Sequence, residues 1–275
     1  MKYTIQSGKY VAKNFYYIFP FAILPAFFFS LSTDEKAIFT VVEKLLSARI
    51  GVWSFKNLFR AISFLNFASL KSIAFGFIGV VAMVLCGALM MALLEKHMRI
   101  GKRTFNGVFS KLNDNLTSTI MYVLVLLALY EVWALIATTG IFLLARIPIK
   151  ILAYILTCAF FVVMNALLLW TVSFFYLWLP CMQITGFRSL EALVYVNRIA
   201  SAGSKLRILI SQLVVLLFAE LTICLCAYLL VADFVAFTIV TTVLFSIMIM
   251  IYCVRMEVAY FDVDHLERAD IKKYY

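Results

Sequence analysis

The sequence has few charged residues and few residues that interrupt a helix. Of its 275 residues only 14% are charged, whereas 65% are hydrophobic. A soluble domain of this length cannot bury so much apolar surface, but a bilayer can solvate it. The aromatic residues lie within apolar runs and do not alternate with polar residues at every second position, which excludes an outer-membrane barrel. The composition therefore predicts an all-α, polytopic membrane protein.

Motifs of catalytic and metal chemistry are also missing. The sequence has no serine nucleophile elbow, no phosphate-binding glycine loop and no H-E-x-x-H motif. Its six cysteines include no C-x-x-C pair. Asp262, Asp264, His265 and Glu267 are of metal-ligating types, but no second cluster completes a coordination shell. We therefore predict no metal site and no cofactor, and we expect that the chain is not an enzyme.

Acidic residues are scarcer than basic ones. The chain has 14 Asp and Glu against 24 Lys and Arg, for a net charge of +10. No nucleic-acid-binding motif accompanies this excess. Most of it lies beside apolar runs, where it sets orientation and attracts anionic headgroups. We expect membrane lipids as partners, with another membrane protein or a second copy of the chain as further candidates, and no nucleic acid.

Six apolar runs are long enough to cross a bilayer and belong to a single integral membrane domain, 1–275. The predicted spans are 15–31, 73–94, 116–144, 151–179, 208–231 and 234–254. Bulky phenylalanines before Ser30 disfavour signal-peptide cleavage, so we predict that the first run stays as a helix. Pro180 is expected to end the fourth span. Because short turns at 145–150 and 232–233 return the chain, we predict three hairpins.

The basic residues are distributed unevenly between the two sides of these spans. The first segment, the last one and the two that lie on their side carry 16 Lys and Arg, and the three opposite segments carry eight. By the positive-inside rule, both termini face the cytoplasm. We expect a multi-pass protein of the plasma membrane.

The outer segment, 32–72, is amphipathic. It contains two apolar stripes, Ile38–Leu45 and Phe55–Ile62, and an S-x-x-E capping box at Ser32 and Glu35. These features predict two short helices on the outer surface. Packing at the membrane interface and a lid over a substrate path are both compatible with this pattern.

Two further amphipathic segments lie on the predicted cytoplasmic side. Phe105–Leu112 and Leu190–Ala200 each combine an apolar stripe with basic residues. Such segments bury the apolar face in the membrane interface while the basic residues meet anionic headgroups. We predict an interfacial helix at each.

Each of these segments begins a module that ends in a membrane-embedded acid. Glu131 and Glu220 each lie 16 residues after a polar knot, at Asn115 and Ser204 respectively. An ionised carboxylate in hydrocarbon costs about 2.5 to 3.5 kcal/mol, so each acid should face protein or water and have a partner. Asn165, in the middle of the fourth span, is one candidate partner. The acids are either structural contacts or a site of proton or cation coupling.

Two stretches of the sequence form a recognisable pattern. The longer is Gly87–Leu124, GALMMALLEKHMRIGKRTFNGVFSKLNDNLTSTIMYVL, and the second is Leu179–Ala200, LPCMQITGFRSLEALVYVNRIA. These stretches resemble the YesL-like family of small bacterial integral membrane proteins. They are also similar to the membrane domain joined to some bacterial glycerophosphodiester phosphodiesterases. The resemblance covers about residues 73–258, and the segment 32–72 departs from it. It implies a bacterial, Gram-positive plasma-membrane protein without an established activity, of a kind that is sometimes associated with carbohydrate uptake, and it transfers no catalytic residue.

Two functions remain open at the level of sequence. The first is a non-enzymatic, bacterial multi-pass membrane protein that contacts lipid or assists a transporter. The second is a small secondary transporter that uses Glu131 and Glu220 for coupling. A transporter needs a polar cavity that reaches Glu131, Glu220 or Asn165 near the bilayer midplane, whereas an accessory protein can have a dry bundle.

Overall fold

The chain folds into α-helices throughout the part that the structure describes. This structure, a computed structural model, describes residues 2–47, 51, 53–65 and 69–271, and within them it contains ten helices and no strand. The long helices are α1 (Lys2–Ser32), α4 (Leu70–Ile100), α5 (Ser110–Leu144), α6 (Lys150–Phe175), α9 (Ala202–Leu230) and α10 (Phe234–Val263). The short ones are α2 (Glu35–Leu46), α3 (Phe55–Ile62), α7 (Trp178–Thr185) and α8 (Ser189–Ile199). The prediction of an all-α protein is confirmed.

Within these described ranges, six helical stretches are long and apolar enough to cross a membrane, one for each predicted span. Most of them extend beyond the predicted bounds. α10 continues beyond its predicted span into the C-terminal tail, residues 255–275, and ends at Val263. Parts of two predicted segments lie outside the described residues, namely 48–50, 52 and 66–68 of the outer segment and 272–275 of the tail.

α1 begins well before its predicted span and bends where that span was expected to start. Asn14 has non-helical φ and ψ angles of −117° and 19°. Its Nδ2 donates a hydrogen bond to the carbonyl of Tyr10 at 2.9 Å. Short polar side chains compete in this way with the helical hydrogen bonds and often bend a helix.

The predicted helix at Phe105–Leu112 is wrong in its first half. Gly107 adopts a left-handed φ of 72°, which a helix interior does not accommodate. Residues 106–109 form a turn, and α5 begins at Ser110. The helix predicted at Leu190–Ala200 is present as α8.

Two other local predictions are corrected. Asp34, and not Ser32, caps α2, because its carboxylate accepts a hydrogen bond from the Ala37 N–H at 3.0 Å. The fourth span does not end at Pro180. α6 ends at Phe175, and Pro180 lies in the first turn of α7, where its missing N–H leaves no helical hydrogen bond unmade.

The long helices form a ring with α1 on its outside. α4, α5, α6, α9 and α10 pack side by side in that order, and α10 closes the ring against α4. α1 packs along both α4 and α10. α2 and α3 cover one end, against α9 and α5, and α7 and α8 lie at the opposite end. Following the predicted orientation, these are called the outer and inner ends.

Small residues bring α1 close to its neighbours. Ala22, Ala26 and Ser30 recur every fourth residue and are completely buried. The Ser30 hydroxyl donates to the carbonyl of Thr238 on α10 at 2.9 Å and also contacts the hydroxyl of Thr241. Such spacing lets helix backbones approach within a membrane, where packing and hydrogen bonds drive association.

We expect Gly79→Ala in α4 to destabilise the protein. A Cβ at this position would lie 2.5 Å from ring carbons of Phe29 on α1, and overpacking of this kind typically costs about 1 to 3 kcal/mol. Gly8→Ala is the control, because a Cβ there meets no heavy atom within 4 Å and should gain about 0.5 to 1 kcal/mol of helix stability. Thermal unfolding in detergent should rank Gly8→Ala at or above the wild type and Gly79→Ala below it. The opposite order would contradict the close contact of α1 and α4.

Candidate functional site

A cavity of about 350 Å³ lies inside the helix ring. α4, α5, α6, α9 and α10 supply most of its lining, and Phe29 of α1 contributes from outside the ring. The volume is within the range of about 300 to 1,000 Å³ that is common for ligand pockets. On α5 the lining runs from Thr119 to Tyr130, which is about 16 Å along the helix axis.

The middle of this cavity is apolar, and its polar residues lie at the two ends. Side chains such as Met83, Leu126 and Val215 line the middle. Tyr130 lines the outer end. The polar residues of the inner end are Thr119, Tyr122, Gln212, Tyr252 and Arg255.

The predicted acids lie just beyond the outer end of the cavity. This group, called the acid end, consists of Tyr130, Glu131, Asn165 and Glu220. Glu131 follows Tyr130 directly in α5, and Glu220 lies near the Tyr130 hydroxyl, so the structure brings the two acids near one residue. Among the four, Tyr130 lines the cavity, and the two acids and Asn165 do not.

Protein partners hold Glu131. Its carboxylate accepts hydrogen bonds from the Ser63 hydroxyl at 2.7 Å and from the Leu65 N–H at 2.8 Å. Tyr130 next to it donates to the carbonyl of Ile62 at 2.9 Å. These bonds fasten the end of α3 and the loop that follows it to α5. Sequence reasoning did not identify these partners, because they lie in the outer segment and far from Glu131 in the chain.

Glu220 has a weaker contact with Asn165. The Asn165 Nδ2 donates to the Glu220 Oε2 at 3.4 Å, and this pair joins α6 to α9. Asn165 is completely buried, and its Oδ1 has no hydrogen-bond partner within the described structure. Asn165 was among the partners predicted for the embedded acids.

The inner end of the cavity contains a buried arginine. This group, called the arginine end, consists of Tyr122, Tyr176, Gln212, Tyr252 and Arg255. The Tyr122 and Tyr252 hydroxyls are hydrogen-bonded to each other at 2.6 Å. The Tyr176 hydroxyl lies beside both Arg255 and Gln212 and donates to the carbonyl of Tyr252 at 3.3 Å.

Arg255 is fastened on one side and open on the other. Arg255 is only 2% exposed. The Arg255 Nη1 donates to the carbonyl of Ser211 at 2.6 Å. The Arg255 Nε and both amide atoms of Gln212 have no hydrogen-bond partner among the described residues. Buried polar atoms are almost always satisfied in native proteins, so this end of the cavity is suited to a polar ligand group.

A second buried polar cluster lies further toward the inner end. Glu95 forms ion pairs with Arg99 at 3.0 Å and with Lys111 at 2.9 Å. Glu257 is completely buried near these three groups, and neither of its carboxyl oxygens has a partner in the described part of the chain. The cluster joins α4, α5 and α10.

The sequence analysis missed Arg255 and Glu257 because both residues lie beyond the predicted end of the last span, residue 254. In the structure, residues 255–261 are all buried, since the first half of α1 packs against α10 at this end. A signal was present in the sequence. Met256 and the unbroken apolar run Val258–Phe261 surround the two charges on all faces, which is typical of a buried helix.

Two of the tail's residues of metal-ligating type, Asp262 and Asp264, accept hydrogen bonds from tyrosines. Tyr3 donates to Asp262 at 2.7 Å, and Tyr195 donates to Asp264 at 2.7 Å. The second bond raises the pKa of Tyr195, because the carboxylate accepts the hydroxyl proton and disfavours its loss. Among the described residues, no group of three or more His, Cys, Asp and Glu could hold a metal ion.

No protein family, curated protein or solved structure matches this chain. The resemblance to the YesL-like family therefore stays a prediction.

We expect Glu131→Gln to be tolerated and Glu131→Ala to destabilise by about 1 to 3 kcal/mol. A glutamine keeps an acceptor for the Leu65 N–H and an amide that can bond to Ser63, whereas alanine leaves both groups unsatisfied. Glu220→Ala should cost less, because the structure gives Glu220 only one long hydrogen bond among described residues. Chemical unfolding in detergent measures the stability of all three variants. A Glu131→Gln variant as unstable as Glu131→Ala would mean that the charge, and not the hydrogen bonding, holds the loop.

Proposed function

We propose that this chain is a non-enzymatic, multi-pass plasma-membrane protein that holds a lipid chain within its helix bundle. The observation that carries the proposal is the apolar cavity of about 350 Å³ inside the ring. Lipid contact of this kind also suits an accessory role beside another membrane protein. The polar ends of the cavity are compatible with an amphiphile, which has an apolar chain and a polar group.

The energetics favour an occupied cavity. Empty apolar volume inside a protein is destabilising, because the atoms that line it lose van der Waals contacts. Water is a poor filler, because apolar cavities offer it no hydrogen bonds. A lipid chain is the most abundant apolar molecule that surrounds a membrane protein.

Secondary transport is the rival function, and the site favours it less. A coupled transporter would need its acids to face a polar cavity. Here the lining between the two ends is apolar, and Glu131 is held by Ser63 and Leu65 outside the lining. The contacts of Glu131 support a structural role, in which the acid fastens the outer segment to α5.

The arrangement in the membrane is part of the same proposal. We place both termini in the cytoplasm and treat α1 with α4, α5 with α6 and α9 with α10 as three hairpins. Each of these pairs is in contact, which supports the arrangement. The inner end then faces the cytoplasm.

The short helices are proposed to lie in the membrane interface. On α8, Ala192 and Val196 are buried against the bundle, whereas Leu190 and Val194 form an exposed apolar stripe beside Arg198. A helix with this pattern is stabilised when its exposed stripe enters the interface. α2 and α3 have the corresponding place at the outer end.

Labelling of single cysteines tests the orientation. In a variant without the six native cysteines, Ser110→Cys and Arg198→Cys should react with a membrane-impermeant thiol reagent in inverted vesicles but not in intact cells. Both positions are exposed and lie at the inner end. Reaction of either one in intact cells would overturn the proposed topology.

A cavity-filling substitution tests lipid occupancy. We expect Leu126→Trp to expel most of the lipid that copurifies with the wild type, because Leu126 lines the cavity. Leu124→Trp is the matched control, since Leu124 is 52% exposed on the same helix. Native mass spectrometry of protein released from detergent counts the bound lipids. Equal retention of lipid by the two variants would contradict a ligand in the cavity.

A further inference from the structure

We propose that the cavity selects an anionic amphiphile of the inner leaflet, with its phosphate or carboxylate group at Arg255 and Gln212 and one apolar chain directed toward Tyr130. This inference rests on the proposed function, which requires only that a lipid chain fill the cavity. It adds the charge of the ligand, its orientation and the leaflet from which it comes.

Arg255 has no counter-ion among the described residues. Its guanidinium is buried, and no carboxylate among the residues that the structure describes forms an ion pair with it. A buried charge without a partner is strongly unfavourable. Because the Arg255 Nη1 is bound to Ser211 while its Nε has no partner among the described residues, the guanidinium is held in place with a donor available. An arginine in this state matches the oxygens of a phosphate or carboxylate.

The amide of Gln212 lies beside Arg255. Gln212 is 4% exposed and lines the cavity; neither amide atom has a geometrically formed hydrogen bond within the described part of the chain, although the Tyr176 hydroxyl lies close by. Its N–H groups can donate to the same anion as Arg255, and its carbonyl can accept from a hydroxyl of the headgroup. Because the Tyr122 and Tyr252 hydroxyls bond to each other, one of the two can donate to the other and one retains a proton for the ligand. The arginine end thus presents several donors and a cation to a single place.

The position of Arg255 along α10 corresponds to the depth of lipid headgroups. Arg255 lies 21 residues after Phe234, the first residue of α10, which is about 32 Å along the helix. The hydrocarbon core of a bilayer is about 30 Å thick. If α10 starts at the outer boundary, the guanidinium reaches the inner boundary, where lipid headgroups lie. The cavity then extends about 16 Å outward on α5, which is close to the thickness of one leaflet.

The charge of the ligand matters more here than its chain. An apolar chain that moves from the bilayer into an apolar cavity leaves one apolar environment for another, so it gains little from hydrophobic burial. An anionic group that meets Arg255 relieves an unpaired buried charge. Selection among membrane lipids should therefore depend on the headgroup.

Thermal unfolding with single-chain amphiphiles tests the inference. The purified protein in an uncharged detergent is heated with hexadecyl phosphate, palmitate, hexadecylphosphocholine or inorganic phosphate. At about a hundredfold excess over Kd, we expect the two anionic amphiphiles to raise the unfolding midpoint by about 5 to 10 °C. The zwitterionic hexadecylphosphocholine should raise it by much less, and inorganic phosphate should leave it unchanged.

Substitutions test whether Arg255 causes the difference in unfolding midpoint between the anionic and the zwitterionic amphiphiles. Arg255→Gln should abolish the gap between hexadecyl phosphate and hexadecylphosphocholine, and Gln212→Leu should narrow it. Arg198→Gln is the control, because it removes an exposed cation from the same end of the bundle and should keep the full gap. If Arg255→Gln does not fold, Arg255→Lys retains the charge without the planar fork and should show a reduced gap.

The outcomes separate this inference from the proposed function. Equal stabilisation by the anionic and zwitterionic amphiphiles would overturn the headgroup assignment and leave chain binding in place. An equal shift by inorganic phosphate alone would mean that the site binds a free anion and would overturn the lipid assignment. If no amphiphile shifts the wild type and Leu126→Trp retains its lipid, the proposed function fails as well.

Discussion

The close contact of α1 with α4 and α10 is the constraint on which the helix bundle depends. Small residues of α1, together with Gly79 of α4, allow the backbones to approach. At the inner end, residues of α1 and α10 belong to one buried apolar cluster. Arg255 and Glu257 are buried within the ring, beside Ser211 of α9 and near Glu95 of α4 respectively. A membrane protein has no hydrophobic drive to bring its helices together, so such contacts decide its shape.

The same ring that buries these charges also encloses the cavity. Five helices packed side by side around a centre do not fill it when most of the inward side chains are of medium size. The polar residues are separated to the two ends, and the acids at the outer end are occupied by protein partners. At the inner end, atoms of Arg255 and Gln212 have no hydrogen-bond partner in the part of the chain that the structure describes. This asymmetry is the reason to assign the headgroup to one end and the chain to the middle.

Much of the architecture could be predicted from local pattern. Apolar length sets where a helix can cross a bilayer, and all six predicted spans correspond to helices. The boundaries were less predictable, because helical backbone continues beyond the membrane wherever side chains permit. At Phe105–Leu112 the apolar spacing suits a helix, yet the left-handed Gly107 makes a turn. The role of Pro180 was also not predictable from local pattern, because a proline can end one helix or begin another according to the packing around it.

The candidate site could likewise be predicted only in part from the sequence. From the sequence alone, Glu131 and Glu220 are identifiable as embedded acids that require partners, because charge in hydrocarbon is costly wherever the fold places it. Their actual partners, the open donor of Arg255 and the cavity depend on residues far apart in the chain, such as Ser63 with Glu131 and Ser211 with Arg255. A sequence pattern reports which groups need burial or pairing. Only the tertiary structure decided which needs are met within the protein and which are left for a ligand, because that depends on distances between helices that no local pattern contains.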